Sequence, residues 1–463
     1  MEMKKKSPRK KKKNKLALYF RANAINIIWT CKMGEPKKCK MGEPTQCSTI
    51  ANELSDDLKE EIFAWVPVKS LGRFRAVSKH WNALLSSTKF ITTKWAEAPP
   101  NREPWLVIYG EKYSSTNCTC LAYSFYTQGW QENSCASISF MQERYPSFLY
   151  SYNFLGYAAG LFLHQLFDIS LFDYNMSIAE DNDLSFDMST VFEYTVCNPV
   201  TRSFTRLPRK LSIGTTFAEG IVEGEGDSRG TYKVVMVSDG EKKNIVEIYD
   251  SSEKSWSIAG HLLQDVILKN REMVFCDGYF YCNAVRSGDM EDLGITGFSL
   301  REGAGIFALL PKIANGKHMV HRELLACGLR LLVAASIANE GETLLEDVII
   351  WEFEKQKLDG SSSSSSVDSS SSLWKEIAKM PPSMCNDLKR NSPPQEIKIV
   401  AVGDHVCFVG YHVMNVPVYK LNENSWTWLP SCPLDYYNYV VTAFEPRLNM
   451  EVGCPVKPGM HPF

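Results

Sequence analysis

One layout recurs along this chain. YSFYTQGW (Tyr123–Trp130), CNPVTRSF (Cys197–Phe204), YDSSEKSW (Tyr249–Trp256) and YKLNENSW (Tyr419–Trp426) each start on an aromatic or apolar residue, cross a polar turn, and close on an aromatic residue seven positions later. In three of them an apolar step follows soon after: Leu207–Pro208, Ile258–Ala259 and Leu429–Pro430. Two looser copies lie between. FSLREGAGIFALLP (Phe298–Pro311) has a longer turn, and a serine-rich insert separates Phe353 from Trp374. The closing aromatics are then Trp130, Phe204, Trp256, Phe307, Trp374 and Trp426; three of the gaps between them are 51 or 52 residues. Strand, turn, strand is the local reading. A unit repeated at that period cannot cover both of its own faces, so neighbouring copies must stack.

Continuously apolar runs precede these hairpins: Gly156–Gln165, Tyr232–Asp239, Gly278–Val285, Cys327–Ser336 and Asp404–Val413. Such runs suit strands buried on both faces. Together they predict a mainly β chain, a kelch-type β-propeller in which each hairpin forms the outer part of a four-stranded blade. Six blades are favoured and seven are the alternative, because single glycines replace the Gly-Gly pair of well-formed kelch repeats. The late apolar run Tyr439–Phe444 is expected to close the ring beside Trp105–Tyr109, which removes two sheet edges at once. Gly360–Ser372 is expected to be a disordered insert outside the ring.

The N-terminal third differs. SDDLKEEIFAWVPVKSLGRFRAVSKHWNALL (Ser55–Leu85) has apolar residues at helical spacing, and Pro67 interrupts it. Asp56 or Asp57 is expected to cap a first helix, with Asp57 and Glu60 at capping-box spacing, and Ser70 a second; Val77, Trp81, Leu84 and Leu85 stripe a third. Three helices this short cannot bury all of these residues, so one face needs a cover from this chain or from a partner.

Thr49–Phe90 resembles an F-box at Leu54, Asp57, Leu58, Ile62, Val66–Pro67, Ser70–Leu71, Arg73–Phe74–Arg75, Val77, Lys79, Trp81 and Leu84. It departs from that pattern at Ser55, where proline is usual, and at Ser78, where cysteine is frequent. With VCNPVTRSFTRLP, LACGLRLLVAAS and LWKEIAKMPP beside it, the chain resembles the plant F-box/kelch-repeat family. The resemblance implies a non-catalytic substrate receptor of an SCF ubiquitin ligase. Leu54, Leu58, Ile62, Val66, Pro67, Leu71, Val77 and Trp81 would contact a Skp-type adaptor, which bridges to a cullin and a RING protein. The propeller would hold an unknown target protein. A non-proteolytic scaffold or transcriptional co-regulator is the alternative.

The expected divisions are a disordered basic leader (1–48), the F-box (49–95), the propeller (104–450) and a tail (451–463). Residues 4–15 hold nine of the 51 basic residues; beyond residue 15 the chain has 42 basic against 52 acidic residues, which argues against nucleic acid as a partner. The basic run reads as a nuclear localisation signal, an organelle presequence or a solvated tail, so the expected location is nuclear, cytoplasmic or both. The eight-residue repeat that spaces Cys31, Cys39 and Cys47 does not match zinc-ligand spacing, and the fourteen cysteines read as reduced thiols. No apolar run reaches the roughly 18 residues of a membrane span, so no membrane is expected. A propeller oxidase would need Tyr, Cys and His ligands at the ring centre. His318 with His321, and His405 with His412, are weak candidates, and no metal or cofactor is expected.

Overall fold

The computed structural model describes residues 54–95, 104–132, 153–167, 192–355, 373–433, 436–450 and 452, apart from short breaks at 67, 113–114, 213, 225–229, 241–242, 264, 270, 287–288, 304, 314–315, 343 and 411–414. The expectations for the leader, Pro67, His412, the serine-rich insert and the extreme C-terminus lie outside these residues. The chain divides into two compact units, Met1–Ala98 and Pro99–Phe463.

The second unit is a six-bladed β-propeller. Its 25 strands make six sheets. Blade 2 is β4 (Asn153–Ala158), β5 (Leu161–Phe167), β6 (Phe192–Asn198) and β7 (Ser203–Arg206). Blade 3 is β8 (Thr216–Glu223), β9 (Tyr232–Ser238), β10 (Ile245–Asp250) and β11 (Ser255–His261). In blade 4 the first strand is broken into β12 (Val266–Leu268) and β13 (Val274–Cys276), both on β14 (Tyr279–Arg286), followed by β15 (Asp289–Ser299) and β16 (Gly305–Leu309). Blade 5 is β17 (Lys317–Cys327), β18 (Arg330–Asn339), β19 (Asp347–Phe353) and β20 (Trp374–Lys379). Blade 6 is β21 (Lys398–Val402), β22 (His405–Val409), β23 (Pro417–Lys420) and β24 (Ser425–Trp428). The first strands of successive blades touch in the order β4, β8, β13, β17, β21, β25 and back to β4.

Blade 1 joins the two ends of the unit. The C-terminal β25 (Tyr436–Phe444) is its innermost strand and pairs antiparallel with β1 (Trp105–Lys112), with Trp105 opposite Phe444; β2 (Ser115–Ser124) and β3 (Gly129–Glu132) complete it. The predicted closure by Tyr439–Phe444 is therefore the observed one. The apolar runs picked out in the sequence are the second strands, not the innermost ones. Their side chains fill the spaces between blades: Val333 and Ala335 with Tyr281 and Ile295, and Cys407 and Val409 with Leu106 and Ile108.

The repeated aromatics sit opposite one another across the outer hairpin. Tyr123 pairs with Trp130, Cys197 with Phe204, Tyr249 with Trp256, Phe353 with Trp374 and Tyr419 with Trp426. In the four short hairpins the residue two places before the closing aromatic is left-handed: Gln128 (φ 51°), Arg202 (φ 53°), Lys254 (φ 55°) and Asn424 (φ 48°). A type I turn followed by one such residue is a favoured hairpin connection. The fourth blade departs from expectation. Phe298 pairs with Gly305, and Gly303 (φ 64°) holds the left-handed place, so the turn has the ordinary length and Phe307 lies two residues beyond the anchor position.

The anchors do more than fill space. Trp130 Nε1–H donates to Pro430 O (2.7 Å), Trp256 Nε1–H to Pro208 O (2.8 Å) and Trp374 Nε1–H to Leu309 O (2.8 Å). Each acceptor belongs to the preceding blade, so a tryptophan ties one blade to the next around the ring. Trp426 stacks at a tilt on Tyr419 (5.2 Å), whose hydroxyl reaches Ile377 O of blade 5 (3.3 Å). Phe204 in blade 2 is buried and has no such donor.

An up-and-down sheet sends its first and third connections to one rim and the others to the opposite rim. The first rim carries tight turns, including Ala159–Gly160, Asp277–Gly278, Gly328–Leu329 and Gly403–Asp404. The chain enters the ring there, with Pro104 over Gly403, where a Cβ would come within 3.0 Å of Pro104 Cγ. The strands at the other rim are joined by the longer connections 133–152, 168–191 and 380–397; the last contains helix α4 (Pro382–Asn391).

Candidate functional site: the apolar face of the helical unit

The first unit holds α1 (Asp56–Ala64), α2 (Val68–Arg75), α3 (Lys79–Leu85) and a π-helical turn (Phe90–Trp95). Its interior is an aromatic cluster. Phe63 lies 5.6 Å from Phe74 and 4.8 Å from Trp81, and Phe74 meets Trp81 edge-on at 5.7 Å. Leu71, Phe90 and Trp95 are buried beside Val66 and Val68.

Polar contacts fix the helix ends. Ser55, not Asp56 or Asp57, is the cap residue of α1, and its side chain makes no capping hydrogen bond. Asp56 is drawn out of that role by His80 (2.9 Å) and Lys59 (3.2 Å), whose hydrogen bonds hold its carboxyl below the usual range. Glu60 faces Lys89 (3.6 Å) instead of completing a capping box. Ser70 lies within α2, because that helix already begins at Val68. Ser78 caps α3, accepting from Trp81 N–H at 3.1 Å.

The expected contact residues fall into three groups. Val66 and Leu71 are core residues, at 5% and 1% exposure. Leu54, Ile62 and Trp81 are half-buried. Leu58 and Val77 are 52% and 62% exposed. Trp65, which the spacing argument passed over, is 49% exposed at the end of α1. Small as it is, this unit leaves three large apolar side chains in water. Two of them, Leu58 and Val77, occupy positions that the resemblance assigned to a partner.

Residues 52–93 match the F-box domain family. The chain is an F-box protein. F-box only protein 6 of Arabidopsis thaliana is 23% identical over 397 residues, which cover 83% of this chain and 70% of that one. The F-box protein At3g17710, also of Arabidopsis thaliana, is 48% identical over 44 residues, only 10% of this chain and 12% of that one. Two solved structures share a loose likeness. They are TolB from Acinetobacter baumannii (10% identity, TM-score 0.38, covering 76% of this chain and 70% of that one) and a nidogen/laminin complex (9%, 0.35, 74% and 99%). Neither is close enough to argue from.

The propeller of this F-box protein has a second polar concentration, inside the ring. A cavity of about 840 Å³ opens between the innermost strands, and His321 lies on it. His318 and His321 both lie on β17, where a bulge separates them in register. His405 is stacked on Phe125 at 4.0 Å. Among the described residues no group of three or more His, Cys, Asp or Glu is placed to hold a metal ion, and none of the helices is long and apolar enough to cross a membrane. The described cysteines, Cys120, Cys197, Cys276, Cys282, Cys327, Cys385, Cys407 and Cys432, are free and buried.

Proposed function

We propose that this protein is the substrate-recognition subunit of an SCF ubiquitin ligase. Its F-box docks on a Skp-type adaptor, and through it on a cullin and a RING protein; its propeller, of kelch type, holds the target. The observation that carries the reading is an F-box whose Leu58 and Val77 stand exposed at positions that the domain devotes to the adaptor, on the same chain as a ring suited to display loops. Leu54, Ile62 and Trp81 border them, and Pro67 belongs to the same surface by resemblance. The target face is the rim with the longer connections, 133–152, 168–191 and 380–397. Catalysis is positional and belongs to the assembly: a held lysine meets the activated ubiquitin at high effective concentration. The site of action is the nucleus, the cytoplasm or both.

The test is capture of a purified Skp-type adaptor by the full chain. Burying each exposed anchor is worth roughly 1.5–3 kcal/mol. Leu58→Asp with Val77→Asp is therefore expected to weaken capture by a hundredfold or more while leaving the melting transition in place. Undiminished capture sinks the adaptor reading. Cullin-dependent shortening of a captured target's half-life is expected; a captured target whose half-life ignores the cullin marks a scaffold or co-regulator instead.

A further inference from the structure

The innermost strand of blade 4 is broken, and the break is organised. Between β12 and β13 the chain leaves β14 and bonds to blade 3: Glu219 N–H donates to Arg271 O (2.7 Å) and Met273 N–H to Glu219 O (2.8 Å). Arg271 Nη2 also reaches the fully buried Glu219 Oε1 at 2.6 Å. Gly220 permits this approach, since a Cβ there would lie 2.6 Å from the Phe280 ring. Bulges that sacrifice ladder bonds commonly re-aim side chains at a site. Here the detour sets Lys269, Arg271 and Glu272 on the wall of the central cavity. Arg322 and Glu323 of β17 and Lys398 of β21 share that wall.

The charges do not cancel. Arg271 is matched by Glu219, and His321 Nε2 lies 3.3 Å from Glu323 Oε1. Arg322 is different. Burial lowers the pKa of its guanidinium, its Nε is enclosed without a hydrogen-bond partner, and among the described residues no carboxylate is hydrogen-bonded to it. Guanidinium groups withdrawn from water are ordinarily paired with an anion. Lys269 and Lys398 open on the same space, in a protein whose body is otherwise acidic. A cavity of about 840 Å³ is within the size range of small-molecule sites.

We infer that the central channel binds a small organic anion carrying two or more carboxylate or phosphate groups, with Arg322, Lys398 and Lys269 as its counter-charges. Glu272 modulates the site. It faces Glu323 and His321 from β17, Lys398 from β21 and Glu219 from β8, beside its neighbour Arg271. Space in the channel reaches its carboxylate, but protein surrounds it, and that burial, reinforced by Glu323, pushes its pKa up to about 7. As pH falls through that value the channel loses a negative charge, so an anion should bind more tightly.

Calorimetric titration of the full chain with inorganic pyrophosphate and with citrate tests the inference. One-to-one binding of at least one probe is expected, tightening from pH 8 to pH 6. Preference for pyrophosphate marks phosphate chemistry, and preference for citrate marks carboxylate chemistry. Arg322→Met and Lys398→Met should each weaken binding tenfold or more, whereas Lys375→Met on outer strand β20 should not. Lys398 is exposed to the channel, so its variant carries the test if Arg322→Met fails to fold. Binding of neither probe, or binding that Lys398→Met leaves unchanged, overturns the inference.

Discussion

Asn198 shows how much one side chain holds in this ring. Its Oδ1 accepts from Val200 N–H (2.9 Å) and turns the chain between β6 and β7, while its Nδ2 donates to Arg447 O (2.9 Å) and Met450 O (2.7 Å). The residue is fully buried, so Asn198→Ala strands several polar groups at once. At about 1–3 kcal/mol for each buried group left unmet, the variant should lose at least that much in urea denaturation. Trp256→Phe keeps a ring against Tyr249 but removes the donor to Pro208 O; a loss of about 1–2 kcal/mol is expected, and no loss would show that the blade-to-blade bond contributes nothing. Glu272 gives a pH-dependent case. The unfolded chain ionises near 4.5 and the folded one near 7. Between these values the folded state holds the proton more tightly, so stability falls as pH rises, and the deficit is complete above about 7. Glu272→Gln should therefore melt higher than the unaltered protein at pH 8, and the two should converge near pH 4. A difference that is constant with pH would contradict this.

Among elements, the outer hairpins were legible because their logic is local. Tyr123 and Trp130, or Tyr419 and Trp426, face each other across a turn of four residues, and both the spacing and the turn chemistry are written into eight consecutive positions. Phe307 was misplaced because blade 4 puts Gly305 at the anchor position, and an aromatic two residues on mimics the pattern. The adaptor positions of the F-box were legible by resemblance, but not their division into core and surface. Val66 and Leu71 are as apolar as Leu58 and Val77, and only the packing of three helices separates them. The innermost strands were the hardest to see. KHMVHRELLAC (β17) mixes charge with apolar residues because part of it borders the channel, and the break between β12 and β13 depends on Glu219, some fifty residues earlier. The hairpin logic also makes a prediction. Phe353 and Trp374 pair like the other anchors, and Glu354 N–H bonds Leu373 O at 2.8 Å, although residues 356–372 intervene. Replacing residues 354–373 with the six residues Lys420–Ser425 should preserve the blade. Shortening the loop should add about 1 kcal/mol of stability in denaturant titration. Loss of the folding transition would show that the insert is needed for pairing.

For the whole molecule, the decisive element is β25. Deleting residues 437–463 removes the innermost strand of blade 1 and leaves β1 with an open edge; soluble yield and melting temperature should both fall sharply. Deleting only residues 445–463 leaves β25 in place but removes the Asn198 and Ser203 contacts to Arg447, Met450 and Val452, so a smaller drop is expected. An unchanged melting transition in the longer deletion would mean that the ring does not depend on its closing strand.

Closure by the last strand also sets a timetable. On the ribosome, β1 emerges early, and its partner β25 starts only at Tyr436. At a synthesis rate of about 5–20 residues per second, the first blade waits roughly 15–65 s with an unsatisfied edge while the other five are made. A nascent chain in that state is open to mispairing with its neighbours on the same messenger. Cellular supply of this protein should therefore depend on the speed of translation and on chaperones that shield β1, and a premature stop even twenty codons from the end should yield aggregate in place of a shortened receptor.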